Sequence, residues 1–206
     1  FKAVGYPEDV GEFYRLEEYE GYAWTAHGRY PTNTPGWWGG AHPFSILDYS
    51  VVHNGEISSY DANRRFIEMY GYNCSLLTDT EVITYIIDFL VRRKGLTLEE
   101  AAGVIAAPFW STIEQMPEAQ RERLAYLRET FASLLITGPF SILLGFTGGM
   151  MALNDRLKLR SMVCAEKGEA VYFASEECAI RVPTGQLNRA MEEVLTRHQP
   201  PVVKRV

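Results

Sequence analysis

The sequence has few cysteines, no block of positive charge and no low-complexity tract. Its three cysteines are widely spaced and form no C-x-x-C pair. This favours a reducing, cytoplasmic location over a disulfide framework and gives no indication of a metal site. No run of five or six basic residues occurs and the formal net charge is -6, so we do not expect a nucleic-acid partner.

Charge is also absent from residues 131–154, a stretch long enough to cross a bilayer. Gly138-Pro139 and the glycine pair at 148–149 divide it into short pieces rich in β-branched, aliphatic and aromatic residues. We therefore expect buried strands and no membrane partner. The strands expected here are residues 132–137, 140–146 and 150–153.

The chain has 206 residues, of which 47% are hydrophobic and 22% charged. This is enough for one domain with a sizeable core and too little for two ordinary domains. We predict that residues 1–206 form a single domain. Because the sequence begins with Phe1 and not with Met, we expect it to be part of a longer chain.

The predicted elements group strands apart from helices, which indicates an α+β fold. Strands are expected at 22–27 and 44–53, the second ended by a turn at Asn54-Gly55. Capping-box patterns at 78–81 and 97–100 mark two helix starts, and weaker helices are expected over 8–20, 58–70 and 117–130. Further strands are expected at 150–154, 161–166 and 170–175.

Chemically capable residues concentrate between positions 24 and 53. Three of the four histidines and three of the four tryptophans lie there, with Arg29, Thr32, Asn33 and Asn54 close by. Such crowding in a loop-rich region is typical of a small-molecule pocket. The alternative is a packed aromatic loop with its histidines satisfied in the core.

Four short motifs occur in order along this region and beyond it. They are HGRYPT at 27–32, AHP at 41–43, HNG at 53–55 and TDTE at 78–81. The set resembles the class II glutamine amidotransferase domain, an N-terminal-nucleophile (Ntn) hydrolase. The later strings MALNDR, LR and ASE, at 151–156, 159–160 and 174–176, are similar to the second half of that domain. The GWWGG loop at 36–40 and an insertion at 108–131 look most like the amidotransferase part of archaeal-type glutamate synthase.

The resemblance implies an αββα sandwich of two antiparallel sheets flanked by helices. In the family, a strand bearing the nucleophilic cysteine precedes the first of the four motifs. Only 26 residues precede His27. We therefore expect a fold that is incomplete at its N-terminus, with an open sheet edge.

The resemblance also assigns the substrate-binding residues. Arg29, whose planar guanidinium suits a carboxylate, is expected to hold the α-carboxylate of glutamine, and Asp79 its α-ammonium. Tyr30 and Thr32 are expected to line the same pocket, and His42 and His53 to belong to its wall as structural residues. Without the family, Arg29 could equally form a surface ion pair and Asp79 could simply favour the helix dipole.

The expected catalytic groups are the Asn54 side-chain amide and the Gly55 backbone N–H, which would hold the oxyanion. An ordinary Asn-Gly turn is the alternative. In the family the nucleophile is an N-terminal cysteine whose own α-amine is the base. None of the three cysteines has a free α-amine, so we expect the thiol on an upstream segment or a separate chain. We predict no glutaminase activity from residues 1–206 alone.

The implied function is a glutaminase that passes ammonia to a synthase domain or subunit, with 2-oxoglutarate as acceptor in the glutamate synthase branch. We expect no cofactor or metal in this domain, and flavin and iron–sulfur centres only on its partners. One alternative is a non-catalytic module that binds L-glutamine or serves as a scaffold. Another is an Ntn hydrolase for a different amide, which the pairing of Arg29 with Asp79 disfavours.

Overall fold

The computed structural model describes residues 1–31, 35–184, 192–193 and 202–205. Its helices are α1 (Pro7–Tyr14), α2 (Tyr60–Glu68), α3 (Asp79–Asp88), α4 (Leu98–Ile105), α5 (Trp110–Ile113), α6 (Glu118–Thr130) and α7 (Glu177–Thr184). Its strands are β1 (Phe44–Ile46), β2 (Tyr49–Gly55), β3 (Phe140–Phe146), β4 (Gly149–Asn154), β5 (Val163–Lys167), β6 (Ala170–Ala174), β7 (Glu192–Glu193) and β8 (Val202–Arg205).

The two predicted capping boxes form to different extents. At α4 the box is complete, because Thr97 and Glu100 each accept from the backbone N–H of the other. At α3 the Thr78 hydroxyl accepts from the Glu81 N–H at 3.2 Å. The Glu81 carboxylate instead accepts from two amides of the loop before the helix, at 2.9 and 3.2 Å. The start of α3 is therefore tied to that loop as well as to its own cap.

The larger sheet has five antiparallel strands in the order β1-β2-β3-β4-β8. Alternate residues of its strands face α2, α3 and α4 and form the main core. They include Val51, Ile142, Leu144, Met151 and Leu153, each at most 1% exposed. Burying each such side chain is worth about 1.5–3 kcal/mol, so this layer fixes α3 against β2.

The smaller sheet has the antiparallel order β6-β5-β7. Ala165 and Ile180 form a small separate core between this sheet and α7. The loop before β5 is joined to the larger sheet by a 3.1 Å hydrogen bond from the Ser141 hydroxyl to the Ser161 carbonyl. Two antiparallel sheets flanked by helices confirm the predicted α+β, Ntn-hydrolase-like class.

Two predicted strands before the helical region are wrong in detail. Residues 22–27 have no regular secondary structure, and Thr25 contacts Ser50 of β2 through their side-chain hydroxyls, 3.1 Å apart. The predicted strand at 44–53 is two strands, joined by a turn at residues 47–48 in which Leu47 has φ 53°. The first helix also ends earlier than expected, at Tyr14.

The strand predicted at 132–137 is also wrong. Residues 132–134 form a 3-10 turn, and the amide of Asn63 donates to the carbonyls of Ser133 and Leu135 at 2.7 and 3.2 Å. A side chain thus satisfies backbone groups that a strand would pair with a neighbour. Within the described ranges, no helix has the length and apolar character that crossing a membrane requires.

Candidate functional site

A pocket of about 470 Å³ opens where β2 ends and α3 begins. Its lining comes from four separate parts of the chain: residues 27–31, His42, the end of β2 with the segment after it, and residues 77–80 at the start of α3. Arg160 completes the lining. The volume is that of an ordinary small-molecule site.

Four charged residues line this pocket. Arg29 and Asp79 are the oppositely charged pair expected to bind the substrate, and Glu56 and Arg160 are the other two. Asp79 is the first residue of α3, where the helix dipole favours a carboxylate. Burial alone would raise the pKa of Asp79, but the hydrogen bond and charge of His53, together with Thr80, hold it below its ordinary value. Asp79 is therefore ionised at neutral pH, and the pocket presents a cation and an anion to a ligand.

Arg29 lies against the backbone of the GWWGG loop. A Cβ built on Gly40 would be 2.9 Å from the guanidinium nitrogen Nη1 of Arg29 and 3.3 Å from the indole nitrogen of Trp37. Only a glycine at position 40 leaves the guanidinium where it is. The position of the Arg29 guanidinium thus depends on the absence of a side chain at position 40.

The histidines beside these charges are neutral. Burial, followed by the neighbouring charges, lowers the pKa of His27 to about 4 and that of His42 to about 2. Their rings are in contact, with centroids 4.3 Å apart. The positive charge of the pocket at neutral pH is therefore carried by Arg29 and Arg160 and not by this pair.

Asn54 and Gly55 are the last residues of β2 and line the pocket. The Asn54 side-chain amide makes no hydrogen bond with another described residue, so it is available to a ligand. Gly55 has φ 149°, and a Cβ there would lie 2.1 Å from the Pro139 carbonyl oxygen. Gly55 pairs with Phe140 within the sheet, so the predicted turn at Asn54-Gly55 is wrong and close backbone contact is what requires the glycine.

The other predicted site residues have different positions. His42 is buried in the pocket wall, as predicted, and its Nε2 lies 2.9 Å from the Thr80 hydroxyl. Tyr30 lines the rim and is 90% exposed. Thr32 lies outside the described residues. The substrate-binding roles of all these residues remain predictions.

Thr80, which contacts Asp79, and Arg160 line the pocket but were not among the predicted site residues. His53, expected in the pocket wall, lines the pocket and also contacts Asp79. Arg160 reaches the pocket because the Asn154 amide donates to its carbonyl at 2.8 Å and the buried Asp155 carboxylate accepts from its N–H. An Asn-Asp pair directly after a strand is a recognisable signal for such a loop. For Thr80, the signal is its place one residue after Asp79 in the first turn of α3.

No cysteine belongs to the described lining of the pocket. Cys74 and Cys164 are buried and Cys178 is exposed. Burial, with the nearby Glu81 charge, raises the pKa of Cys74 to about 11, so its thiol is unreactive at neutral pH. Among the described residues no group of three His, Cys, Asp or Glu side chains could hold a metal ion.

The chain is similar to several known proteins. The family model for class-II glutamine amidotransferases matches residues 1–75. An uncharacterized protein of Archaeoglobus fulgidus is 52% identical over 190 residues, covering 92% of this chain and 50% of that protein. Glutamine–fructose-6-phosphate aminotransferase of Sulfurisphaera tokodaii is 37% identical over 94 residues, covering 45% of this chain and 16% of that protein.

The fold is similar to that of glutamine phosphoribosylpyrophosphate amidotransferase from B. subtilis. The TM-score is 0.53 at 18% identity, covering 87% of this chain and 34% of that one. GTPase Der of Nitratidesulfovibrio vulgaris is also similar, with 83% identity over 164 residues that cover 78% of this chain and 31% of that protein. The present sequence contains no G-x-x-x-x-G-K-[ST] phosphate-binding loop.

Over residues 1–75 this chain is similar to class II glutamine amidotransferases, and its fold is similar to that of a glutamine phosphoribosylpyrophosphate amidotransferase. The chain spans half the length of the Archaeoglobus protein and about a third or less of the other proteins compared.

Proposed function

We propose that this class II glutamine amidotransferase domain binds L-glutamine as a zwitterion and hydrolyses its side-chain amide. The observation that carries the proposal is the presence of Arg29 and Asp79 in one pocket. A free α-amino acid carries one anion and one cation on the same carbon, and the two side chains match these charges. A pocket for an amide inside a peptide would need neither.

The chemistry follows from the residues at the end of β2. A thiolate attacks the amide carbon, and the Asn54 amide with the Gly55 N–H stabilises the oxyanion that forms. Collapse of the intermediate breaks the C–N bond, the proton taken from the thiol passes to the nitrogen, and ammonia leaves. Water then cleaves the thioester, which gives glutamate and restores the thiol.

The thiol in this proposal belongs to a cysteine outside residues 1–206, on a preceding segment of a longer cytoplasmic chain or on a second chain. Its α-amine acts as the base. Ammonia passes to a synthase domain or subunit, with 2-oxoglutarate as the acceptor and with flavin and iron–sulfur centres carried there. The present domain holds neither cofactor nor metal.

A second candidate is a glutamine-binding or scaffold module that no longer hydrolyses its ligand. The observation that favours it is the lack of a cysteine in the described lining of the pocket. The two candidates differ in one respect, since both bind glutamine and only the first releases ammonia.

The test uses the full-length protein, purified with any chain that stays bound, and begins with its intact mass and N-terminal sequence. For glutaminase function we expect a chain beginning with cysteine and glutamine-dependent release of ammonia. Glutamine binding without such a cysteine and without ammonia would establish the module instead. Absence of glutamine binding would contradict both candidates.

Arg29→Met tests the carboxylate contact in the same preparation. Hydrogen bonds to charged groups are worth about 1.5–3 kcal/mol, so we expect KM for glutamine to rise about 10- to 100-fold while kcat changes less. Arg65→Met, an exposed substitution on α2, is the matched control and should leave KM unchanged. An unchanged KM in Arg29→Met would remove the carboxylate role.

A further inference from the structure

We propose that His53 is a positioning residue that orients the Asp79 carboxylate toward the α-ammonium of the substrate. Thr80, which accepts a hydrogen bond from His42, donates to the same carboxylate and helps to keep it ionised. The inference rests on the proposed function, since it takes Asp79 as the group that binds the ammonium. It assigns a role to a buried network of hydrogen-bonded side chains that takes no part in the reaction steps described above.

The geometry brings four polar side chains to one point. His53 Nδ1 lies 3.4 Å from Asp79 Oδ1, and the Thr80 hydroxyl lies 3.3 Å from the same oxygen. The Thr80 hydroxyl also lies 3.4 Å from His53 Nδ1 and 2.9 Å from His42 Nε2. Thr80, His53 and His42 are 1%, 4% and 8% exposed, so water does not compete strongly for these contacts.

Only one assignment of hydrogen-bond donors and acceptors satisfies all of these contacts. The ionised Asp79 carboxylate can only accept, so both His53 Nδ1–H and the Thr80 O–H donate to it. The Thr80 hydroxyl has a single proton, so its oxygen must accept from His42 Nε2–H. A neutral His42 carrying its proton on Nε2 completes the chain, in agreement with its strongly lowered pKa.

This hydrogen-bond network constrains the orientation of the Asp79 carboxylate, which is the group expected to contact the ligand. Both side-chain donors approach the same oxygen, Oδ1, which fixes the plane of the carboxylate that would contact the ammonium. The remaining ring nitrogens, His42 Nδ1 and His53 Nε2, have no hydrogen-bond partner among the described residues although they are buried. Buried polar atoms without a partner are costly, and a role at the pocket explains why two such rings are kept there.

The test compares two substitutions of His53 that differ only in where they place a donor. The amide nitrogen of Asn can occupy the position of Nδ1, whereas that of Gln reaches the position of Nε2. The probes are L-glutamine and 4-carbamoylbutanoate, which lacks only the α-ammonium. Binding of each is measured by calorimetry on the full-length protein, with folding checked by thermal denaturation.

We expect His53→Gln to weaken L-glutamine binding about tenfold, to leave 4-carbamoylbutanoate binding unchanged, and His53→Asn to restore most of the loss. Equal weakening of both ligands, or no weakening in His53→Gln, would overturn the positioning role. Should either His53 variant fail to fold, Thr80→Val against Thr80→Ser decides the matter, with a loss specific to L-glutamine expected only for Val.

Binding of the two ligands to the wild-type protein distinguishes failure of the positioning role from failure of the proposed function. If wild type binds 4-carbamoylbutanoate as tightly as L-glutamine, Asp79 does not bind the ammonium and the substrate assignment itself fails. If wild type prefers L-glutamine and every variant keeps that preference, only the positioning role fails.

Discussion

The two walls of the pocket are built in opposite ways. One, the buried wall, consists of His42, the end of β2 and the start of α3. The other, the loop wall, consists of the pocket-lining residues 28–31 and of residues 36–40, which lie behind Arg29 and do not themselves line the pocket. In the buried wall, Thr80 and His53 are at most 4% exposed and hydrogen-bonded. In the loop wall, Tyr30 is 90% exposed and Trp38 61% exposed.

The difference separates two ways of placing a charge. Asp79 is placed by the same core packing that holds α3 against β2. Arg29 is placed by a loop whose glycines leave room for it. Substitutions in the buried wall should therefore change both stability and ligand binding, whereas those in the loop wall should change binding with little effect on stability.

The largest effect is expected at the buried end of β2. Asn54→Ala should lower kcat for ammonia release by about 10²- to 10³-fold, which is the usual cost of losing one oxyanion donor. The KM for glutamine should change little, because the oxyanion exists only during reaction. Steady-state kinetics of the full-length protein measure both constants.

Ser45→Ala, an exposed change on β1, is the control for Asn54→Ala and should leave kcat unchanged. A kcat in Asn54→Ala equal to that of wild type would show that Asn54 does not contact the oxyanion.

More of the buried wall than of the loop wall could be predicted from the sequence. The cap at Thr78 fixed the start of α3, and with it Asp79, because capping chemistry is local. The HNG motif located Asn54 and Gly55 but not their geometry. A turn was predicted where Gly55 in fact faces the Pro139 carbonyl, and no local signal announces a contact between residues 84 positions apart.

The remaining misses have the same cause. Residues 22–27 and 132–137 have strand-like composition, but a strand also needs a free neighbour, and pairing partners are set by the whole sheet. Thr80 and His53 are 27 positions apart in sequence, so their contact depends on how α3 packs on β2. The α+β class was predictable because it depends only on how strands and helices are grouped along the chain.

The next effect is on stability in acid and arises from His27 and His42. Their pKa values are lowered from 6.5 to about 4 and about 2, so the unfolded chain takes up protons on acidification before the folded one does. The free energy of unfolding should therefore be fully maintained above about pH 6.5 and fall as the pH drops below it. Urea unfolding at several pH values measures the slope.

His27→Gln isolates one of these groups. Between pH 6.5 and 4 this variant should show a shallower slope than wild type, by at most one proton or about 1.4 kcal/mol per pH unit. Carboxyl groups that titrate in the same range contribute equally to both proteins and cancel in the difference. Parallel curves for variant and wild type would mean that His27 is protonated equally in the folded and unfolded states.

The smallest effect is expected in the loop wall, where it separates binding from stability most clearly. In Gly40→Ala the new Cβ meets the far end of the flexible Arg29 side chain at 2.9 Å, so the guanidinium moves and the backbone need not. We expect glutamine to bind about 3- to 10-fold more weakly, a cost of about 1 kcal/mol. The free energy of unfolding should stay within about 0.5 kcal/mol of wild type.

Gly36→Ala is the matched control for Gly40→Ala, because among the described residues its Cβ would meet only Pro31, at an ordinary 3.6 Å. 4-Aminobutanamide, which is glutamine without its α-carboxylate, provides a second control and should bind both variants and wild type equally. A loss of affinity shared by both ligands would place the effect of Gly40 on the pocket as a whole. A loss confined to L-glutamine would show that the absence of a side chain at Gly40 sets the position of the Arg29 guanidinium. The Asp79 carboxylate, in contrast, is positioned by buried hydrogen-bonded side chains.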